Sequence, residues 1–557
     1  MNCFLRICFF SLITLVCNAQ SDTERIPLLE KHGNTSRLVV DGKPILLLCG
    51  ELHNSSTGGL DYMRPIWKRM AEKNLNSVIA ALSWELIEPT EDHFDFTLVD
   101  SAMAGARAAN LKLIFIWFAS WKNGGSIYMP AWVKKDDKKF PRAKDRSGKS
   151  LEILSTFGEA TMKADAKAFT ALMHHIKETD SRYQTVVMMQ VENEMGVLDN
   201  PGPPGNAPRD FSPAAEAAFH AAVPVQLMNY LEKHKDSLYP ELKKVWADNG
   251  YKKSGTWEEV FGKSFLKTDQ KEWKTFSFFT EELFSAWNYA SYAGQVAAAG
   301  KKEYPIPMYV NAWLKQPFSY IPGKYPSGGP LPEVIDVWRA AAPSIDFIAP
   351  DIYTDEFIWV CNEYTRSSNP LFIPETVGGA TGAARAFYAF GEFSAFGFAP
   401  FGIDGSAYET HDPLNDTYTV LQNLSPLILE NQGKNSMRGV LVDTVHPTQE
   451  LELGNYRIKA GLSGGKNTAT AGGLIIQTGT DEFIVAGKSL DLFFVSKDST
   501  QRIGVLSADE GFFKGNQWVA ARRLNGDETH ASTWDGTGIK MPDDKPGIQK
   551  VILYHYR

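Results

Sequence analysis

The sequence predicts an α/β fold, a (β/α)8 TIM barrel, followed by a C-terminal all-β sandwich domain. Two observations predict this. Up to about residue 402, eight short apolar runs alternate with amphipathic helical segments. From about residue 432, helical patterns give way to short strand patterns separated by Gly and Asp turns. Alternating strands and helices form a parallel sheet covered by helices, and eight strands are the number that closes this barrel.

The predicted barrel strands are continuous apolar runs, which is typical of strands buried on both faces. An open doubly wound sheet is the alternative, and it is disfavoured because no Gly-rich phosphate turn follows the first strand. The strands are predicted at residues 45–50, 76–84, 111–118, 185–194, 307–313, 345–350, 370–375 and 396–402, and the helices at 62–74, 97–110, 159–179, 280–299, 332–342, 381–391 and 415–431.

The N-terminal segment 1–19 is predicted to be a secretory signal peptide. A weakly basic start is followed by a short apolar run and a small residue, Ala19, which is the pattern of such peptides. This predicts a periplasmic or secreted protein. Lipoprotein anchoring is not expected, because the residues before Cys17 fit a lipobox poorly.

The remaining chain divides into two predicted domains. Residues 24–431 form the catalytic barrel, with an insertion at about 197–280 between the fourth and fifth strands. A loop of this length is either a lid or wall of a site or a surface elaboration. Residues 432–557 form the β-sandwich, which is expected to stabilise the barrel or an oligomer rather than to bind glycans.

Composition excludes several function classes. The net charge is −8 and no Lys/Arg-rich run occurs, so no nucleic-acid partner is expected. No other segment approaches the length and apolarity of a transmembrane helix. Cys49 lies in an apolar run and is expected to be a buried free thiol. Cys and His residues show no metal-ligand spacing, so neither a metal nor another cofactor is expected.

Two carboxylates stand where barrel enzymes place their chemistry, at the carboxyl ends of strands. Glu194 ends the fourth predicted strand in Asn193-Glu194, and Glu375 ends the seventh in Ile373-Pro-Glu375. Two carboxyl groups across one barrel mouth can cleave a glycosidic bond, and Asn193 can hydrogen-bond a sugar hydroxyl. Alternation along the strand predicts that Glu192 points away from Asn193.

The segment Gln190-Val-Glu-Asn-Glu-Met-Gly196 resembles the acid/base segment of family 35 β-galactosidases, which belong to a clan of retaining glycosidases. Further stretches are similar to that family. The β-sandwich is more loosely similar to a domain appended to a bacterial branch of the family. The sequence after the third predicted strand also resembles family 42 β-galactosidases. The stretches similar to family 35 are 38–44, 50–53, 83–89, 94–96 and 129–133.

The resemblance implies a mechanism and a substrate class. Glu194 would be the acid/base and Glu375 the nucleophile, with the carboxyl groups about 5–5.5 Å apart. The implied substrate is a β-galactoside oligosaccharide or polysaccharide, cleaved from its end, with xyloglucan-type side chains as one candidate. The alternatives are another retaining β-glycosidase or an endo-glycanase of the same clan, and a non-catalytic carbohydrate-binding barrel.

Glycone recognition is expected to differ from that family. Many members carry an Ala-Glu-Trp-type segment after the third strand, where this chain has Ala119-Ser-Trp-Lys-Asn-Gly124. Trp121, Lys122 and Asn123 are therefore candidates for contacting the sugar. Other substrate-binding candidates at strand ends are Glu51, Asn54, Trp84, Trp313 and Tyr353, with Glu85, His53 and Asp404 as weaker ones, and Tyr353 is also predicted to hydrogen-bond Glu375.

Overall fold

The computed structural model describes residues 26–200, 202–405, 412–463, 469–529 and 537–557. The predicted signal peptide lies outside these residues. Within them, eight parallel strands close into a barrel, so the TIM barrel is confirmed over the doubly wound alternative. The barrel strands in chain order are β4 (Leu47–Glu51), β5 (Ser77–Ser83), β6 (Lys112–Phe118), β9 (Val186–Val191), β10 (Met308–Trp313), β11 (Phe347–Ile352), β12 (Phe372–Thr376) and β13 (Gly397–Pro400).

Helices pack around this barrel, and their apolar faces form its outer core. All seven predicted helices are present, and each observed end lies within four residues of the predicted one. None of the helices among the described residues is long and apolar enough to cross a membrane. The helices are α1 (Leu60–Glu72), α2 (Trp84–Ile87), α3 (Thr97–Ala108), α4 (Ala131–Lys134), α5 (Glu159–Asp180), α6 (Pro213–Phe219), α7 (Val225–Lys233), α8 (Pro240–Asp248), α9 (Trp257–Phe261), α10 (Phe279–Glu303), α11 (Ile335–Ala341), α12 (Phe357–Tyr364), α13 (Gly379–Phe393) and α14 (Pro413–Asn431).

An N-terminal sheet closes the amino-terminal end of the barrel. It consists of β1 (Leu28–His32), β2 (Thr35–Val40) and β3 (Lys43–Ile45). Apolar residues of β2 are buried in the cluster that fills the barrel interior. The backbone N–H of Asp41 donates to Gln184 Oε1 at 2.8 Å, next to the start of β9. The opposite end, where the strands finish, stays available for a site.

The insertion after β9 forms a wall at that carboxyl end. Its helices α6 and α9 pack through Phe219 and Trp257 against Phe284 of α10. Further along, Ser277 Oγ donates to the carbonyl of Tyr320 in the loop after β10, at 2.6 Å. Lys274 forms a 2.9 Å ion pair with Glu356 in the loop after β11. The insertion is thus fastened to two loops that border the barrel mouth.

The C-terminal region consists of two antiparallel sheets with an apolar core between them, as the predicted sandwich requires. One sheet has the order β14-β17-β18-β23-β20-β21 and the other β15-β16-β19-β22. The two short strands β7 (Arg142–Lys144) and β8 (Ser150–Leu154) pair elsewhere, in the loop after β6. The sandwich strands are β14 (Met437–Asp443), β15 (Thr448–Leu453), β16 (Tyr456–Leu462), β17 (Thr470–Gly479), β18 (Glu482–Gly487), β19 (Leu490–Ser496), β20 (Arg502–Lys514), β21 (Gln517–Arg523), β22 (Thr537–Lys540) and β23 (Gly547–Tyr556).

The six-stranded sheet packs directly on α13 of the barrel, and glycines allow the close approach. A Cβ on Gly472 of β17 would lie 2.3 Å from the Ala384 carbonyl oxygen of α13. A Cβ on Gly391 of α13 would lie 2.8 Å from Leu474 Cβ. Leu474 also belongs to the same buried cluster as the barrel helices. The face of the six-stranded sheet that packs on α13 therefore belongs to the same apolar core as the barrel helices, while a second apolar core lies between the two sheets.

We expect Gly472→Ala to lower the thermal unfolding midpoint. Its Cβ would overlap backbone that cannot yield cheaply, and overpacking of this kind costs about 1–3 kcal/mol. Gly59→Ala is the matched control, because a Cβ there meets nothing closer than 3.8 Å. Calorimetric scans at one scan rate compare the two variants. Equal midpoints for both would contradict the tight packing of β17 on α13.

Candidate active site

Glu194 is held at the carboxyl end of β9 by the backbone that follows the strand. Its φ is +46°, in the left-handed region that costs a non-Gly residue free energy. Its N–H donates to Asn311 Oδ1 at 2.9 Å and its carbonyl accepts from the Gly124 N–H at 3.0 Å. These bonds, to β10 and to the loop after β6, fix the turn. The side chain is buried.

Glu375 lies opposite, in the last residues of β12. The register pairs it with Asp351 of β11, so the two residues sit side by side on neighbouring strands. The Tyr353 hydroxyl donates to Glu375 Oε1 at 2.5 Å, which confirms the hydrogen bond predicted from the sequence. Tyr353 itself is 42% exposed, so its ring lines the open side of the site.

Asp351 and Asn311 belong to this site and were missed by the sequence analysis. The Asn311 amide donates to Asp351 Oδ2 at 2.7 Å while its oxygen accepts from Glu194. One carboxylate oxygen from each of Glu194, Asp351 and Glu375 lies within 4.8 Å of the others. The signal available in the sequence was their position, because Asn311 falls in the last half of a predicted barrel strand and Asp351 directly follows another.

Burial and charge separate the protonation states of these carboxyl groups. Burial first, and the charge of Glu375 second, raise the pKa of Glu194 to about 7 against the lowering effects of Lys122 and of the hydrogen bond with Asp351. Burial also raises the pKa of Glu375, but the Tyr353 hydrogen bond and Lys122 oppose it. Burial raises the pKa of Asp351 well above its usual range. Glu375 therefore ionises before Glu194, which keeps a proton near neutral pH.

Glu51 and Lys122 complete the cluster. Glu51 ends β4, and burial together with the charges of Glu375 and Glu194 raises its pKa well above normal. Lys122, in the loop after β6, lowers the pKa of Glu51, Glu194 and Glu375. The structure thus brings Glu51 into the site as predicted. Lys122 places a positive charge beside these three carboxyl groups.

Two predicted amides have polar atoms without partners. Asn193 is 1% exposed, and neither its Nδ2 nor its Oδ1 has a hydrogen-bond partner among the described residues. Oδ1 of the half-buried Asn54 likewise has no hydrogen-bond partner among the residues that the structure describes. Buried amide atoms without partners are costly and are commonly satisfied by water or ligand. Asn193, next to Glu194, is therefore ready to bind a sugar hydroxyl.

Trp84 and Trp121 do not contribute side chains to the site, contrary to the prediction. Both are fully buried in the core between barrel and helices. The Trp84 indole donates to Glu88 at 2.8 Å, and the Trp121 ring packs edge-on against Tyr292. Trp84 begins the short helix α2 and Trp121 lies in the loop after β6, and these segments direct both rings into the outer core.

The Trp121 backbone nevertheless shapes the site. Its N–H donates to Glu192 Oε2 at 2.8 Å, and its carbonyl accepts from the Asn193 N–H at 3.3 Å. Glu192 is buried beside Asp165 of α5, whose proximity helps to raise its pKa after burial itself. Glu192 is thus engaged with Asp165 and the Trp121 backbone rather than with the carboxyl groups around Glu194. Its predicted orientation opposite to Asn193 stays a prediction.

The remaining predicted residues lie at the rim. Trp313 ends β10 and is half-buried, while Asn123 is exposed and accepts a hydrogen bond from Lys122. The Asp404 carboxylate accepts from the backbone and ring of His53, which accounts for that pair as a loop contact. Glu85 forms an ion pair with Lys134. Trp313 and Asn123 remain candidates for contact with a sugar, whereas Glu85, His53 and Asp404 are engaged in the contacts just described.

Carboxylates this close could in principle hold a hard cation. Burial raises the pKa of both Glu194 and Asp351, so a cation bound there would have to displace protons that these groups hold more tightly than exposed carboxyl groups do.

Comparison with known proteins identifies related sequences. Residues 60–306 match the model of glycoside hydrolase family 42, described as "Beta-galactosidase". This region contains Glu194 but not Glu375. Residues 414–534 match a domain of unknown function, DUF5597. The matching model is that of family 42, which the sequence after the third predicted strand also resembles. Membership of family 35 stays a prediction.

One curated relative and several solved structures are similar. A beta-galactosidase from Xanthomonas manihotis is 30% identical over 172 residues, which is 29% of this chain and 25% of that protein. The chain thus spans about a quarter of that relative. The beta-amylase catalytic domain of Paenibacillus polymyxa has 13% identity and a TM-score of 0.46, covering 67% of this chain and 97% of the other. A beta-galactosidase from Marinomonas ef1 has 12% identity and a TM-score of 0.42, covering 69% and 60%.

We expect Glu375→Gln to lower the pKa of Glu194 below about 7, because the substitution removes the charge that helps to raise it. Infrared titration of the protonated carboxyl band measures this, with Glu194→Gln identifying the band. Glu72→Gln, on the exposed surface of α1, is the control and should leave the band unchanged. An unshifted Glu194 titration in Glu375→Gln would contradict the coupling.

Proposed function

We propose that this protein is a retaining exo-β-galactosidase. The observation that carries the proposal is the close approach of the Glu194 and Glu375 carboxyl groups in different surroundings. One oxygen of each lies within 4.8 Å of the other, which is closer than the roughly 5–5.5 Å typical of retaining enzymes and well below the roughly 6.5–9.5 Å of inverting ones. Burial and the charge of Glu375 raise the pKa of Glu194 to about 7, while the Tyr353 hydrogen bond and Lys122 oppose the rise in the pKa of Glu375. A protonated acid beside an ionised nucleophile is what double displacement requires.

In the first step, Glu375 attacks the anomeric carbon and forms a glycosyl ester. The bond from that carbon to the leaving oxygen breaks, and Glu194 transfers its proton to this oxygen. In the second step, water attacks the anomeric carbon, Glu194 takes the water's proton, and Glu375 leaves as a carboxylate. The Tyr353 hydrogen bond stabilises the ionised form of Glu375 at the start and end of the cycle.

The galactoside preference rests on relatedness. The family 42 model and the Xanthomonas relative are both beta-galactosidases. The motifs at 190–196 and 83–89 further support membership of the same clan and, as a finer proposal, of family 35. Exo action is supported by the insertion, which is fastened to the loops after β10 and β11 and so narrows the mouth.

The natural substrate is proposed to be an oligosaccharide or polysaccharide carrying terminal β-galactosyl residues, such as xyloglucan side chains. The predicted signal peptide supports export to the periplasm or the medium, where such polymers are met. No nucleic acid takes part in this proposal. Separate assays of cell fractions for the protein and its activity test the location.

The test of the activity is a panel of 4-nitrophenyl β-glycosides. We expect the β-galactoside to be hydrolysed fastest, with retention seen by NMR of the first-formed sugar. Glu375→Ala should abolish turnover, because it removes the carboxylate that forms the ester. Turnover surviving Glu375→Ala, or a first product of inverted configuration, would refute the mechanism.

Glu194→Ala tests the acid. It should slow substrates with poor leaving groups by about 10²–10⁴-fold, since that is what proton transfer contributes. A 2,4-dinitrophenyl galactoside needs no proton on its leaving group, so its glycosylation step should be nearly unaffected. Equal losses on both substrates would contradict the acid role.

We expect a bell-shaped dependence of kcat/KM on pH. Activity should fall as pH rises through about 7, where Glu194 loses the proton that it must donate. It should fall on the acid side as Glu375 becomes protonated. Tyr353→Phe removes a bond that lowers the pKa of Glu375, so the acid limb should move to higher pH. Tyr62→Phe, 60% exposed on α1, is the control, and an unmoved acid limb in Tyr353→Phe would contradict this role of the hydroxyl.

A further inference from the structure

Lys122 is a cation placed within a group of carboxyls from three strands. Its side chain is 8% exposed although it lies in a loop. Its charge acts on Glu51 of β4, Glu194 after β9 and Glu375 of β12. Such interactions fall with distance, so an ammonium that affects all three lies in the space they share.

The loop that carries Lys122 is fixed relative to Glu194. Three hydrogen bonds join its residues to the segment after β9: the Trp121 N–H donates to Glu192 Oε2, the Trp121 carbonyl accepts from the Asn193 N–H, and the Gly124 N–H donates to the Glu194 carbonyl. Gly124 has a φ of +64°, and a Cβ there would lie 2.7 Å from Leu198 Cβ. The loop therefore cannot shift without disturbing the turn of Glu194, and Lys122 is held in place with it.

The Lys122 ammonium has hydrogen-bonding capacity left. It has three N–H donors, and among the described residues it donates to Asn123 Oδ1 alone. The ion pairs found there, at a limit of 4.0 Å, do not include Lys122. The carboxylates of Glu51, Glu194 and Glu375 are thus near enough to feel its charge but too far for direct contact. A buried N–H needs an acceptor, and this gap is where a ligand atom would provide it.

A sugar hydroxyl fits this gap chemically. Ammonium groups only donate hydrogen bonds and carboxylates only accept them, whereas a hydroxyl does both. A hydroxyl between Lys122 and Glu51 would accept from the first and donate to the second, while Glu194 and Glu375 flank the anomeric carbon. An anionic sugar fits less well, because its charge would lie beside the carboxylate of Glu375, which the proposed mechanism keeps ionised.

We propose that Lys122 is the specificity-determining residue of the glycone pocket, donating to a hydroxyl of a neutral sugar that in turn donates to Glu51. This rests on the proposed function and extends it from reaction type to sugar recognition. Many family 35 enzymes carry a Glu in this loop that this chain lacks. In this proposal Glu51 supplies the hydrogen-bond acceptor for the sugar and Lys122 supplies the donor.

The test is a cycle of variants and substrates. Wild type, Lys122→Met and Lys122→Arg are assayed on 4-nitrophenyl β-galactoside and on its 3-, 4- and 6-deoxy forms. Lys68→Met, on the exposed face of α1, is the matched control. Lys122→Met should lower kcat/KM on the galactoside by roughly 10- to 100-fold, the worth of a hydrogen bond to a charged group.

The deciding result is the interaction between the two changes. On the deoxy sugar that lacks the bound hydroxyl, the loss caused by Lys122→Met should be about tenfold smaller than on the parent galactoside, because the hydrogen bond is already absent and only the effect of the lost charge on Glu194 and Glu375 remains. Lys122→Arg should keep part of the preference, and Lys68→Met should behave as wild type. An equal loss in Lys122→Met on every deoxy sugar would overturn the proposal, leaving Lys122 as a general electrostatic group.

A separate readout distinguishes this failure from failure of the proposed function. If wild type hydrolyses none of the glycosides, the proposed function is refuted, and galactose binding measured by calorimetry then tests Lys122 alone. Binding lost in Lys122→Met and kept in Lys68→Met supports the proposal. Binding unchanged in Lys122→Met, or absent from the wild type, overturns it. Thermal unfolding of each variant checks that it is folded.

Discussion

Mutual repulsion among buried carboxyl groups at one end of the barrel is the constraint on which the site depends. Glu51, Glu194, Asp351 and Glu375 meet there with little water, so they cannot all be ionised. Retained protons, the Tyr353 hydroxyl and the ammonium of Lys122 relieve this repulsion. The relief is uneven between Glu194 and Glu375, and this difference is what the proposed acid and nucleophile roles require.

Backbone geometry keeps that arrangement in place. Glu192 and Glu194 both have positive φ, 61° and 46°, a conformation that costs of order 1–3 kcal/mol per residue when it is strained. Asn311, which bonds the Glu194 N–H, and Trp121, whose backbone bonds Glu192 and Asn193, hold the segment there. The two glutamates thereby face opposite sides of the barrel wall. One joins the site and the other joins a buried pair with Asp165.

The C-terminal sandwich acts on this site through packing. Its larger sheet covers α13, which begins at Gly379, a few residues after Glu375. Gly472 and Gly391 allow sheet and helix to approach so closely that the barrel core continues into the sandwich. The appended domain thus packs on the helix that follows the strand of Glu375. That it supports the barrel rather than binding glycans stays a prediction.

The sequence by itself determined the elements and the two carboxylates. Apolar runs of strand length, separated by helical periodicity, specify a parallel barrel because few folds bury both faces of every strand, and Glu194 and Glu375 stood out as charged residues ending such runs. Tertiary structure decided which strand-end side chains face the mouth. Trp84 and Trp121 turn into the outer core while Asp351, Asn311 and Lys122 turn inward. That choice depends on strand register and loop turns, which are set by contacts between residues far apart in the chain, and neighbouring residues do not encode it.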